Sequence, residues 1–160
     1  MKVAIRTDAS TSIGSGHLMR CITLADALRQ IGAHVEFVSR DLPGNLNSVV
    51  TEKGFALHQL PSPEKSDVPL NWNRHASWLG VHWHQDAEEC ADYLGDGREQ
   101  YDWLIVDHYA LDKNWEQLHR PIARKIMVID DLADREHDCD LLLDQNIHCG
   151  FQHRYRDLVP

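Results

Sequence analysis

Apolar and polar positions alternate between two periods along the chain. Lys2–Thr7 (KVAIRT) is a short β-rich run, followed by a loop of Ser, Thr and Gly (DASTSIGSG). From His17 to Ile31 the period changes: Leu18, Ile22, Ala25 and Leu28 recur at helical spacing, with Arg20, Thr23, Asp26 and Arg29 turned elsewhere. Gly32 stands where a helix C-cap is expected. HVEFVSR (34–40) reads as a second strand. A loop through Pro43-Gly44 then leads to a helix around Leu46 to Lys53, closed by Gly54, and FALHQL (55–60) reads as a third strand.

Residues 61–72 carry three prolines and little periodicity, and read as a surface loop. A helix is predicted from about His84 to Leu94, ended by Gly95, and a short one over Trp115 to Leu118 before Pro121. Trp103–Asp107, Lys125–Asp130 and Asp140–Asp144 are the fourth, fifth and sixth strands. Their centres, WLIV, IMVI and LLL, are near-continuous apolar runs, as expected of strands buried on both faces of a parallel sheet. Strands alternating with helices at this spacing predict an α/β domain with a doubly wound, Rossmann-like parallel sheet over residues 1–160. There is no internal repeat, low-complexity tract or linker to a second folded domain in these residues.

Composition narrows the classes. At 42% hydrophobic and 26% charged residues, 160 residues can bury about two-thirds of their unfolded surface. The formal charge of −9 argues against a nucleic-acid binder, which needs a basic face. No apolar run approaches the roughly 20 residues of a membrane span. Arg6 and Asp8 come too early for a signal peptide, so a cytoplasmic location is expected. Cys21, Cys90, Cys139 and Cys149 are scattered without a C-x-x-C pair and read as separately buried or idle thiols.

In an open α/β sheet, ligands sit beyond the carboxyl ends of the strands. Here that selects the loop after strand one, Asp107-His108-Tyr109 after strand four, and Asp130-Asp131 after strand five. In the first, Gly14-Ser15-Gly16-His17-Leu18-Met19-Arg20 sets two glycines before a helix, where free N–H groups favour an anion such as a diphosphate. It is not the dinucleotide fingerprint, because Met19 occupies the place of the third glycine, and Asp41 is an imperfect ribose-binding acid. No Gly-Lys-Ser/Thr follows, so it is not a P-loop. The alternative is a tight turn with no ligand. His17 at the helix start suits a neutral imidazole acting as general base, with Asp8 the nearest carboxylate in sequence to fix its tautomer; a helix-capping or exposed histidine is the plainer alternative. Asp107-His108-Tyr109 places three polar residues where a substrate would be read, or is simply a polar turn leaving the sheet.

Two arrangements raise the question of metal. His82 and His84 point about 200° apart on a helix, and no third ligand stands nearby. Asp130, Asp131, Asp134, Asp138 and Asp140 are dense enough for Mg²⁺, yet acidic turns at strand ends are commoner. No metal and no cofactor is expected. Trp72, Trp78 and Trp83 read as satellite core, or as a surface covered by a further domain or a second copy in a homo-oligomer.

The segments 5–45, 78–94 (WLGVHWHQDAEECADYL), 104–116 (LIVDHYALDKNWE) and 128–146 (VIDDLADREHDCDLLLDQN) resemble the PseG-type UDP-sugar hydrolases of pseudaminic acid biosynthesis. The combination of G-x-G-H-x-x-R with D-H-Y and I-D-D-L-A carries the resemblance, which covers nearly the whole chain. The family is similar to MurG-type glycosyltransferases of GT-B architecture, with two Rossmann-like domains facing across a cleft. The resemblance implies a UDP-sugar partner, UDP-2,4-diacetamido-2,4,6-trideoxy-β-L-altropyranose, hydrolysed to free sugar and UDP by inverting, metal-independent attack of water. It implies His17 as the base and Tyr109 at the sugar. The expected substrate-binding residues are then Arg6, Asp8, Gly14, Ser15, Gly16, Arg20, Asp107, His108 and Tyr109. It further implies a C-terminal UDP-binding domain beyond this chain, which ends near the expected crossover, so residues 1–160 are expected to be an N-terminal half that binds substrate weakly alone. A non-catalytic nucleotide-sugar-binding or scaffold domain, and a dinucleotide-dependent oxidoreductase, are the alternatives from other classes.

Overall fold

The computed structural model describes residues 1–64, 71–95 and 99–160. Six parallel strands form one sheet: β1 (Lys2–Thr7), β2 (His34–Arg40), β3 (Ala56–Leu60), β4 (Trp103–Asp107), β5 (Ile126–Ile129) and β6 (Leu141–Leu143). Their order is β3-β2-β1-β4-β5-β6. The chain winds outward from β1 to one edge, then crosses to β4 and winds to the other. This is the Rossmann-like, doubly wound arrangement, whose strand order reverses between β1 and β4.

Four helices connect the strands: α1 (Gly16–Gln30), α2 (Asn47–Glu52), α3 (Trp83–Leu94) and α4 (Lys113–His119). Leu18, Cys21, Ile22 and Ala25 of α1 are buried, the face its apolar spacing predicts. At its end the Ala33 and Gly32 N–H groups return to the Leu28 and Arg29 carbonyls at 3.0 Å each. That closing turn needs the left-handed φ of +84° that Gly32 adopts without a Cβ clash.

Each sheet face carries its own core. Val3, Ile5, Phe37 and Ile105 face α1, with Leu18 and Ile22 packed on them. Ala4, Val38, Leu104, Val106 and Val128 face the other way, toward Leu94 and the fully buried Trp115. On this second face the strands also carry charge into the interior, because Arg6 and Arg40 are each 0% exposed.

One feature departs from the sequence reading, and two short turns lie where it made no assignment. LLL was expected to be buried on both faces, but Leu141 and Leu143 are exposed, since β6 is an edge strand and no helix crosses between β5 and β6. The aperiodic stretch after the prolines holds a 3₁₀ turn over Ala76–Leu79, seated by the buried Ala76 and Leu79. A second 3₁₀ turn covers Phe151–His153. Of the predicted 61–72 loop, 65–70 lie outside the described residues. No helix is long and apolar enough to cross a membrane among the described residues.

Candidate active site

Pleat and register decide which side chains meet. Thr7 of β1 lies opposite Asp107 of β4. Side chains alternate along a strand, so Asp107 shares the α1 face with Ile105, while Asp8 and His108 emerge on the other. The turn into α1 is built by Ser10. Its Oγ accepts from the Ser12 and Ile13 N–H groups at 3.2 and 3.0 Å, and its carbonyl accepts from Gly14 N–H at 2.8 Å. Gly14 has φ +80°, the left-handed turn a side chain would strain. Ser15 caps without a side-chain hydrogen bond, so the first N–H groups of α1 have no intrahelical partner and open beside the exposed Ser15 and Gly16.

One residue into the helix, His17 Nδ1 stands 2.6 Å from Asp107 Oδ1. Arg20, one turn on, grips the same carboxylate through Nε to Oδ2 and Nη2 to Oδ1, each at 2.5 Å. Arg20 Nη2 also lies 3.0 Å from His17 Nδ1, so two donors crowd one acceptor. Cys21 Sγ donates to Oδ2 at 3.3 Å. Burial alone would raise the Asp107 carboxyl, but hydrogen bonds from Arg20 and His17 outweigh it and hold the group below the usual carboxylate range. An ionised carboxylate only accepts, so Nδ1 carries a proton, and in the neutral ring the lone pair is then on Nε2. Asp107, not Asp8, fixes this histidine's tautomer.

Aromatic rings wall the other side. The Tyr109 ring is 4.5 Å from His17 at an interplanar angle of 81°. Trp78 lies 6.4 Å from His17 and 5.8 Å from Tyr109, and His75 lies 4.7 Å from Trp78. Trp72 and Trp83 pack against the core as satellite residues, and Trp72 Nε1 donates to the Ala110 carbonyl at 2.8 Å. Trp78 departs from that expectation because the 3₁₀ turn aims it at the site. His75 and Trp78 are the functional candidates that pattern reasoning missed. Periodicity holds no signal for them, although Trp78 opens one of the segments carrying the family resemblance.

Arg6, Asp8 and His108 were expected at the substrate, and the structure places all three in a buried network on the sheet face opposite α1. Arg6 bonds Asp8 through two nitrogens at 2.5 and 2.9 Å and Asp86 through two contacts at 3.2 and 2.6 Å. Arg40 Nη2 joins Asp86 at 2.8 Å, and Trp115 Nε1 donates to Asp86 at 3.0 Å. Arg40 N–H donates to Asp8 at 2.7 Å, and His108 Nε2 lies 3.3 Å from Asp8 Oδ2. Arg6, Asp8, Arg40 and Asp86 are each 0% exposed. Burial opposes ionisation of both aspartates, but Arg6 prevails and holds them low. Burial pushes His108 down as well.

The acidic turns are likewise partnered. Arg135 pairs with Asp130 at 2.8 Å and Asp134 at 3.1 Å, and Arg120 with Asp138 at 2.7 Å and Asp140 at 2.6 Å. Asp131 accepts from Tyr109. His82 caps α3, accepting from His84 N–H at 3.3 Å. No group of three or more His, Cys, Asp or Glu that could hold a metal occurs among the described residues.

The fold is that of a Rossmann-like α/β domain of the kind found in GT-B enzymes. MurG of Acinetobacter baumannii superposes with a TM-score of 0.54 at 10% identity, covering 97% of this chain and 38% of that one. LpCGTa, solved in complex with UDP, gives a TM-score of 0.49 at 18% identity over 81% of this chain and 30% of that one. In sequence, the chain is similar to the UDP-2,4-diacetamido-2,4,6-trideoxy-β-L-altropyranose hydrolase of Campylobacter jejuni, at 27% identity over 161 aligned positions. The match takes in all of this chain and 47% of that enzyme, so the chain spans about half the length of the curated relative. No family model matches.

Proposed function

We propose that this chain supplies the general base and the sugar-facing wall of a nucleotide-sugar hydrolase. The substrate is UDP-2,4-diacetamido-2,4,6-trideoxy-β-L-altropyranose, and the products are free sugar and UDP. The observation that carries the reading is the His17–Asp107 pair at a strand end, with Nδ1 committed at 2.6 Å and Nε2 unoccupied. Similarity to the C. jejuni hydrolase along the whole chain supplies the substrate.

In this mechanism His17 Nε2 takes a proton from water as its oxygen bonds to the anomeric carbon. The bond from that carbon to the diphosphate oxygen breaks, its electron pair leaves on UDP, and the configuration inverts. Asp107 holds the ring in the required tautomer and stabilises the imidazolium as it forms. UDP is a good leaving group, so a matching protein acid matters less than in ordinary glycoside hydrolysis. Gly14, Ser15 and Gly16 let the diphosphate approach the N–H groups of α1. A further domain beyond these residues holds the uridine and orients the leaving group; without it, residues 1–160 alone release almost no UDP.

The test is UDP release by the full-length protein and its His17→Asn variant under one set of conditions. Asn fills similar space but cannot take water's proton, so turnover is expected to fall about 10²–10⁴-fold with substrate binding retained. Turnover by the variant close to wild type would remove His17 as the base.

A further inference from the structure

Tyr109 presents more than a ring to the site. Its hydroxyl donates to Asp131 Oδ1 at 2.5 Å. The other oxygen of that carboxylate accepts from Asn146 Nδ2 at 2.6 Å, and the Asp131 carbonyl accepts from Arg154 Nη2 at 2.9 Å. Asp131 is therefore held from behind by the segment after β6. A carboxylate only accepts, so the Tyr109–Asp131 contact has one direction, with the phenol proton committed to Asp131. A phenol has a single O–H, and once that is committed its oxygen offers a ligand only lone pairs.

The other neighbours leave this polarity in place. Arg20 also acts on this hydroxyl, and its guanidinium can only donate. Arg135 Cζ lies 5.9 Å over the ring, and the His75 ring lies 5.4 Å away. We propose, resting on the UDP-sugar reading above, that Asp131 is a positioning residue that makes Tyr109 a hydrogen-bond acceptor. The sugar pocket then selects a ring substituent carrying an N–H or O–H donor. A secondary amide supplies such a donor, whereas an ester of the same shape leaves the Tyr109 lone pair facing a second acceptor. Unpaired polar atoms in a closed site are what make hydrogen-bonding pockets selective.

The test compares full-length wild type, Asp131→Ala, Asp131→Asn, Tyr109→Phe and the Asp131→Ala/Tyr109→Phe double variant. The substrates are the UDP-diacetamido sugar and an analogue with esters in place of its amides. Asp131→Ala is expected to raise KM for the amide about two- to twelvefold, the range for one hydrogen bond, with less effect on kcat. It should also narrow the preference for amide over ester and add nothing once Tyr109 is Phe, because Asp131 acts through that hydroxyl. A purely structural role predicts additive losses and an unchanged amide preference, and either result overturns the proposal.

A spectroscopic readout stands apart from turnover. Burial and the Asp131 charge push the Tyr109 phenol up to about 12. In Asp131→Asn it should ionise at lower pH, followed by phenolate absorbance against a Tyr109→Phe blank, and an unmoved titration overturns the assignment. If wild-type protein releases no UDP, the hydrolase reading falls, and this titration with the relative binding of the two analogues decides the role of Asp131.

Discussion

The molecule contains two histidine–aspartate pairs built from the same two strand ends, and they are wired crosswise. Asp8 precedes His17 in the chain but serves His108, at 3.3 Å. Asp107 precedes His108 but serves His17, at 2.6 Å. The Asp8 pair is enclosed by Arg6, Arg40 and Asp86, none of them exposed. The Asp107 pair is gripped from behind by Arg20, and its histidine faces the open start of α1 and a wall of aromatic rings. Identical residue types thus form a scaffold in one place and a candidate catalytic group in the other. The difference lies in what the second ring nitrogen meets. At His108 one nitrogen faces Asp8 while the other accepts the Ala110 N–H at 3.1 Å. At His17 the carboxylate takes one, and the other has no hydrogen-bond partner among the described residues.

Four experiments press on that contrast. The largest effect is expected from Asp86→Ala, which leaves Arg6 and Arg40 buried without their shared carboxylate. Urea denaturation should show a loss of about 3–5 kcal/mol, the cost of breaking a buried ion pair by removing one partner. A loss below 1 kcal/mol would mean that water enters the network and that it is not sealed. Under the proposed reaction, Asp107→Asn in the full-length protein should leave the fold in place yet cut UDP release about as far as His17→Asn, because an amide can donate to Nδ1 and turn the ring's lone pair inward. Retained turnover would separate the two residues and undo the pairing argument.

A smaller effect concerns His119, stacked on Trp115 at 3.7 Å behind the sealed network. Burial lowers it to about 4. The unfolded chain, titrating near 6.5, binds more protons between pH 6.5 and 4, so this group's contribution favours the fold above that window and is lost as pH falls through it. Wild type should lose about 2 kcal/mol more than His119→Gln on going from pH 7 to pH 5, measured by denaturation at each pH. Equal pH dependence would show that the ring is protonated in the fold. The smallest test is chemical. Cys21 sits in the open cluster and Cys90 in the sealed one, but both are fully buried with thiols pushed up by burial. A thiol reagent should modify Cys149 in the native protein and leave both untouched until unfolding. Native labelling of Cys21 would show that the His17 side opens more deeply than its packing indicates.

Short-range physics made most of the fold legible. The strand boundaries of β1, β2 and β4, the α1 face and its Gly32 stop follow from apolar period and backbone freedom, which act over a few residues. The same reasoning places His17, Asp107 and Tyr109 together, because residues after apolar parallel strands share one sheet edge. Pairing across the sheet was not legible. Asp8 is nine residues from His17 and Asp107 is 90, yet the Thr7↔Asp107 register and the pleat bring Asp107 to the ring and turn Asp8 to the opposite face. Nor did the sequence mark Arg6 and Arg40 as interior. Their burial depends on Asp86, brought from α3 to within 2.6 and 2.8 Å of them. Local pattern thus determined which segments are strands and helices and which loops gather at the edge. Tertiary structure alone decided which charges face each other across it, because burial makes a charge tolerable only beside a partner, and partners are chosen by register rather than by distance along the chain.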